Sequence, residues 1–316
     1  MYSEMTTAHK IKATIITGFL GAGKTTFINN LLRKYPKKQF ALVENEFGEV
    51  SIDTKLIKGV DASNLFALKN GCICCTIANE YELVLLELAE RFPHVDELLI
   101  ETTGIADPAQ VIKPFTDNPD ISRWYEFQGI VCLADARNFD FHLQEKVSVR
   151  QLISAGTIII SKSEDFSHIE KAILVNRLKE INFLAPLFFT SQNRTGFELG
   201  NYWNNKPLSW SYLTAGDTMH TGFSSKTIRF NHPLNRSDFE HWLSYFLDVY
   251  KNDVYRVKGI IYFIDEPFEY IVQAVGSSWE IKEGDLALDN KNGVLVFIGK
   301  LADISIDGIG SCRLGQ

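Results

Sequence analysis

No apolar run in this chain approaches the ~20 residues needed to cross a bilayer, so no membrane partner is expected. Positive charge is also short: 32 Lys and Arg face 39 Asp and Glu, a net charge of −7. That balance argues against nucleic acid as a partner. Cysteine is scarce, with 5 in 316 residues, and a disulfide framework would spread its thiols to staple distant loops. Here three crowd into Gly71-Cys72-Ile73-Cys74-Cys75, leaving Cys132 and Cys312 alone. The opening MYSEMTTAHK has neither an apolar core nor an arginine, so neither a secretion signal nor a transit peptide is expected. Residues 1–10 read as a flexible tail. A long His-rich tract, which would suit metal storage, is missing. Together these absences point to a cytosolic protein. What is present is ordinary for a globular chain, 45% hydrophobic and 22% charged, and long enough for two cores.

The most informative segment is Gly18-Phe19-Leu20-Gly21-Ala22-Gly23-Lys24-Thr25-Thr26, which fits G-x-x-x-x-G-K-[ST]. The context that this phosphate-binding loop requires lies on both sides. Ile11 to Thr17 is short, apolar and β-branched, as a buried parallel strand should be. Thr26 to Tyr35 carries Phe27, Ile28, Leu31 and Leu32 at helical spacing. Glycines let the backbone close around an anion, and the helix start adds partial positive charge. Lys24 can reach the β- and γ-phosphates, and the Thr25 hydroxyl can hold Mg²⁺.

Strands and helices alternate through residues 11–203. Strands are expected at 39–44, at 96–101 ending in Glu101-Thr102-Thr103-Gly104, at 127–134 ending at Asp135, at 157–160, and at 186–190. A helix over 79–92 would turn Leu83, Leu86 and Ala89 to one side. The pattern predicts an α/β P-loop NTPase fold, a mostly parallel sheet flanked by helices. Glu101 stands where a second acid of the phosphate site belongs, able to position the hydration shell of Mg²⁺, and the Gly104 N–H can sense a γ-phosphate. Cys132 lies in an apolar strand and reads as core; Cys312 is given no role.

Three thiols within four positions suit a soft-metal site or a redox switch; a buried loop wanting small residues would need only one or two. Three thiolates fit Zn²⁺ or another borderline-soft cation and leave a fourth position for water, a carboxylate or a partner's ligand. Glu44, Glu46 and Glu49, in Glu44-Asn45-Glu46-Phe47-Gly48-Glu49, are candidates for touching either Mg²⁺ or the thiolate-bound ion.

The combination GFLGAGKTT, ENEFGE, GCICC and ETTG, in this order, resembles the CobW-type family of P-loop GTPases. The resemblance extends over nearly the whole chain, less distinctively in its second part. It implies a metallochaperone that hydrolyses GTP and carries a transition metal, commonly zinc or cobalt, to a metalloprotein client. It implies metal thiolates from Cys72, Cys74 and Cys75, and GTP and Mg²⁺ at Lys24 and Thr25. Glu101 would stand where other GTPases have aspartate. The family's guanine-reading motif N-K-x-D appears here as Ser161-Lys162-Ser163-Glu164. Glu164 would offer the carboxylate on a longer arm, with Asp165 next in line, while losing the asparagine is expected to remove a brace from the phosphate loop. Such a substitution leaves tolerance of ATP open.

On this reading the γ-phosphate orders the segment between Glu44 and Cys75 and fixes the thiolates. With no candidate arginine finger, intrinsic hydrolysis should be slow, and a client or a second copy of the chain (a homodimer) would supply the missing group. A small-molecule kinase would need an arginine-rich lid, and none is found. A metal buffer would leave the phosphate loop superfluous, and a redox sensor would strain a vicinal disulfide.

Residues 204–223 read as a linker. Residues 224–316 predict a smaller α+β domain: strands at 227–231, 259–264, 270–275 and 294–298, and a helix over 235–247 with Phe239, Trp242, Leu243 and Phe246 on one stripe. A closing helix, broken by glycine, is expected at 301–309. His220, His232 and His241 are expected at the surface, and the domain is expected to recognise a partner.

Overall fold

Ile11–Gly18 forms β1, and Ile11, Ala13, Ile15 and Ile16 are fully buried because this strand runs through the middle of a sheet. The structure, a computed structural model, describes residues 10–44, 65–68, 78–104, 106–190, 219–220, 223–287 and 291–312. The chain falls into two compact units, Met1–Gln151 with Ala155–Asp165 and Leu187–Thr195, and Leu152–Ser154 with Phe166–Pro186 and Gly196–Gln316.

The sheet of the first unit adds β2 (Phe40–Glu44), β3 (Leu65–Leu68), β4 (Glu97–Glu101), β5 (Tyr125–Asp135), β6 (Thr157–Ser161) and β7 (Leu187–Phe189). Its order is β3-β2-β4-β1-β5-β6-β7, and each pairing is parallel. The helices are α1 (Lys24–Lys34), α2 (Ala78–Arg91), α3 (Pro108–Asp117), α4 (Pro119–Trp124), α5 (Phe139–His142), α6 (Lys146–Ser154) and α7 (His168–Ile181). Helix α7 and the last three residues of α6 belong to the second unit. From β1 the chain moves to one side for β2, β3 and β4, then returns past it to β5. The carboxyl end of β1 is therefore a topological switch point, where α/β sheets bind ligands.

Helix α1 buries Phe27, Ile28, Leu31 and Leu32, as its spacing predicts, and carries Arg33 and Lys34 in its last turn, where cations suit the helix dipole. Helix α2 departs from expectation. Tyr81, Leu85, Leu88 and Ala89 are buried while Leu83 is exposed. The buried stripe is set by Tyr81, whose ring packs inward while its hydroxyl donates to Val111 O at 3.4 Å. A tyrosine can serve a core face when its polar tip finds an acceptor.

The second unit holds an antiparallel sheet of β8 (Met219–His220), β9 (Phe223–Phe230), β10 (Val254–Tyr262), β11 (Phe268–Val275), β12 (Ser278–Leu286) and β13 (Gly293–Gly299), in the order β12-β11-β10-β13-β9-β8. Helix α8 (Arg236–Val249) lays Phe239, Leu243 and Phe246 into its core, with Trp242 packed against it. The Arg236 guanidinium sits 4.7 Å and 4.6 Å from the ring centroids of Phe263 and Tyr270 and pairs with Glu266 at 3.0 Å, which pins the start of α8. Two expectations fail here. The closing helix reduces to a 3-10 turn, Asp307–Cys312, since glycines at 308 and 310 weaken a helix. Strand β12 was not foreseen, because SWEIKEGDL is polar; as an edge strand it needs little apolar surface. Cys312 is buried in this core, His241 is exposed and His232 half-buried. Among the described residues, no helix is long and apolar enough to cross a membrane.

Candidate functional site

The loop between β1 and α1 turns through Gly23, whose φ of 91° lies in the left-handed region that favours glycine. Gly23 caps α1 without a side-chain hydrogen bond, and no acidic residue lies in the first turn, so the helix start keeps its attraction for an anion. Phe19 anchors the loop from below: it is fully buried and stacks on His142 with centroids 4.5 Å apart. Gly21 and Thr26 are exposed and Ala22 is buried.

Lys24 is buried, and its ammonium donates to the carbonyls of Gly18 at 3.0 Å and Phe19 at 3.1 Å. Burial lowers its pKa, while the Glu101 carboxylate pulls the other way. Cys132 lies fully buried nearby, its thiol pushed up to about 12 by desolvation, which keeps it neutral as a core residue.

The Thr25 hydroxyl donates to Glu101 Oε1 at 3.0 Å. With its proton committed to a carboxylate, the hydroxyl oxygen keeps lone pairs for a hard cation. An all-oxygen set of this kind fits Mg²⁺: the Thr25 hydroxyl would hold the ion and Glu101 would help to neutralise its charge. Gly104 lies against the phosphate loop, since a Cβ there would stand 2.7 Å from both N and Cα of Leu20.

On the far side of β1, Asp135 closes β5. Its Oδ1 accepts from Arg137 N–H at 3.0 Å, and its Oδ2 accepts from Asn138 Nδ2 at 2.9 Å and from Lys162 Nζ at 2.8 Å. Burial opposes its charge, but the hydrogen bonds from Lys162 and Asn138 outweigh it and hold the carboxyl below its ordinary range. Lys162 itself sits at φ 56°. Ser161 donates its hydroxyl to Ala22 O at 2.7 Å, tying the end of β6 to the phosphate loop. Glu164 is exposed in a turn, and Asp165 pairs with Arg137.

The CobW/HypB/UreG nucleotide-binding domain family matches residues 12–189, and the cobalamin synthesis protein CobW C-terminal domain family matches residues 223–309. The chain belongs to the CobW/HypB/UreG family. The zinc chaperone YjiA of Escherichia coli is 31% identical over 304 residues, covering 92% of this chain and 94% of its own. The zinc-regulated GTPase metalloprotein activator 1 of Saccharomyces cerevisiae is 27% identical, covering 92% of this chain and 80% of its own. The crystal structure of Zn(II)-bound YjiA GTPase from E. coli matches at a TM-score of 0.68 and 25% identity, over 96% of this chain and 99% of that one.

In this CobW-family chain the structure brings Lys24, Thr25, Glu101 and Gly104 to the carboxyl edge of the sheet, with Ser161 and Lys162 farther along the same edge, at the end of β6. Glu44 closes β2 on the same edge as Glu101. Cys72, Cys74, Cys75, Glu46 and Glu49 lie outside the described residues. Among the described residues no group of three His, Cys, Asp or Glu forms a metal cluster. The expectation that serine at 161 leaves the phosphate loop without its brace is corrected: the hydroxyl reaches the Ala22 carbonyl directly, doing with a short side chain what the longer amide would do. Asp135 was missed as a partner of Lys162. Its only sequence signal was an acid at a strand's carboxyl end. Ser161→Ala is expected to weaken nucleotide binding about fivefold, the worth of one net hydrogen bond of ~1 kcal/mol, as read by titration with a fluorescent nucleotide.

Proposed function

We propose that this chain is a cytosolic, GTP-hydrolysing metallochaperone that binds zinc through Cys72, Cys74 and Cys75 and passes it to a metalloprotein client. Its relatives are named zinc chaperones and a zinc-regulated GTPase metalloprotein activator, and a solved structure that matches over nearly the full chain is a zinc-bound GTPase.

The observation that carries the reading is the register of the sheet. Leu68, the last residue of β3, is level with Val43, Val43 with Ile100, and Glu44 with Glu101. β3 therefore ends at the edge where Thr25 and Glu101 meet, and Cys72 follows its last residue by four positions. Four residues of chain reach at most about 14 Å. Strand spacing of ~4.8 Å puts β1, three strands away, at about that distance. That chain length supports the reading that a thiolate loop would respond to a γ-phosphate.

In the proposed reaction the loop N–H groups from Gly21, Ala22 and Gly23 to Thr26 cradle the phosphates. The Lys24 ammonium turns from its two carbonyls to the β- and γ-phosphate oxygens. Mg²⁺, held by the Thr25 hydroxyl, would supply charge neutralisation there. The Gly104 N–H contacts the γ-phosphate, and water attacks phosphorus with GDP leaving. Ser161, Lys162 and Glu164 form the base-side edge, with Ser161 holding the loop and Glu164 offering a carboxylate to guanine. Hydrolysis removes the γ-phosphate contact, and the thiolate loop relaxes.

The test is zinc affinity measured with GDP and with a non-hydrolysable GTP analogue. Tighter zinc binding with the analogue, lost in Cys74→Ser, is the expected result. Equal affinities in the two states would remove the coupling, because a ligand shifts an equilibrium only through differential binding.

A further inference from the structure

One buried polar side chain outside the site described above is aimed at its edge. Gln151, in α6, is fully buried, and its Nε2 donates to the carbonyl oxygens of Gly104 and Ala106, each at 3.1 Å. Its neighbour Arg150 reaches the same stretch of chain, pairing with Asp107 Oδ2 at 2.8 Å. Asp107 in turn caps α3 by accepting from the Ala109 N–H at 3.1 Å. On its other side Gly104 touches the backbone of Leu20. The turn after Glu101 is thus held between the phosphate loop and α6.

The orientation of the amide follows from its surroundings. Two carbonyls demand a donor, so Nε2 must face them. The other end pays for this arrangement: Oε1 is buried with no hydrogen-bond partner among the described residues. A half-satisfied buried amide costs stability that an apolar side chain of the same length would avoid. Core packing gives no reason for glutamine here, whereas holding two particular carbonyls does.

We propose that Gln151 is a positioning residue for triphosphate recognition, fixing the carbonyls of Gly104 and Ala106 so that the Gly104 N–H points at the γ-phosphate. The inference rests on reading the site as a GTP site. Gln151 touches no nucleotide: it holds the carbonyl of the peptide after Gly104, and restrains the N–H of the peptide before it across the Gly104 Cα, whose φ and ψ a glycine leaves otherwise free. A diphosphate has no γ-phosphate for the Gly104 N–H to meet, so loss of the two hydrogen bonds should separate the two nucleotides.

The experiment uses the full chain, with GDP and a non-hydrolysable GTP analogue titrated against wild type and Gln151→Met, and steady-state GTP hydrolysis followed in parallel. In the variant, affinity for the analogue is expected to fall about tenfold, with kcat down by a similar factor and GDP affinity unchanged within twofold. Equal loss for both nucleotides, or loss for neither, would overturn the proposal. Should the variant not fold, the side-chain amide signals of Gln151 in ¹⁵N-labelled wild type decide. A shift between the GDP and analogue complexes supports the proposal, and identical signals overturn it. Wild type that binds neither guanine nucleotide would instead bring down the GTP reading, and the role of Gln151 with it.

Discussion

Lys24→Ala is expected to lower GTP hydrolysis at saturating nucleotide by about 100-fold or more, the usual cost of losing one preorganised charge from a transition state. The side chain is almost fully enclosed and its ammonium bridges the carbonyls of Gly18 and Phe19. Two features make it a movable charge rather than a structural one. Its hydrogen bonds go to neutral carbonyls of the loop itself, which phosphate oxygens can outbid because charge-assisted bonds are the stronger kind. And burial already works against its positive form, so an incoming anion relieves a cost that the folded protein carries. The variant should therefore stay folded. GDP, which lacks the γ-oxygens, should lose less affinity than the GTP analogue. Single-turnover hydrolysis, with circular dichroism as the folding control, checks this. A rate within threefold of wild type would mean that the loop does not deliver Lys24 to the reacting phosphate.

What the sequence revealed and what it hid divide by the range of the interactions. The phosphate loop, β1 and α1 are written in contiguous residues: apolar β-branched run, glycine turn, then Phe27, Ile28, Leu31 and Leu32 at one helical face. The parallel sheet and the α8 stripe were legible for the same reason. Contacts that depend on tertiary proximity were not. Nothing local tells that the Ser161 hydroxyl reaches Ala22 O, 139 residues away in the chain, or that Gln151 reaches back to Gly104. In helix α2 the spacing of Leu83, Leu86 and Ala89 points to the wrong face, because Tyr81 joins Leu85, Leu88 and Ala89 in the core once its hydroxyl finds the Val111 carbonyl. Strand β12 carries charges at an edge, where periodicity and hydrophobicity give little signal. The thiolate cluster is a reading of residue types and spacing, and lies outside the described residues.

The second large effect is expected at Glu101. Its carboxylate accepts a hydrogen bond from the Thr25 hydroxyl at 3.0 Å and also favours the charged form of Lys24, so Glu101→Gln should act twice. First, the outer-shell charge that steadies a hydroxyl-bound cation is gone. Outer-shell partners are typically worth 10–100-fold in metal affinity, and the Mg²⁺ concentration for half-maximal binding of the GTP analogue should rise by at least about tenfold. Second, Lys24 keeps its desolvation penalty but loses the charge that opposes it. Its pKa must move further down, so triphosphate binding should fail at a lower pH than in wild type. The isosteric amide leaves packing at the end of β4 unchanged, and GDP binding without Mg²⁺ should be nearly unaffected. Titrations of the analogue across Mg²⁺ concentration and pH separate the two effects. A variant whose Mg²⁺ requirement matches wild type would place Glu101 outside the cation's reach and leave Thr25 to hold it unaided.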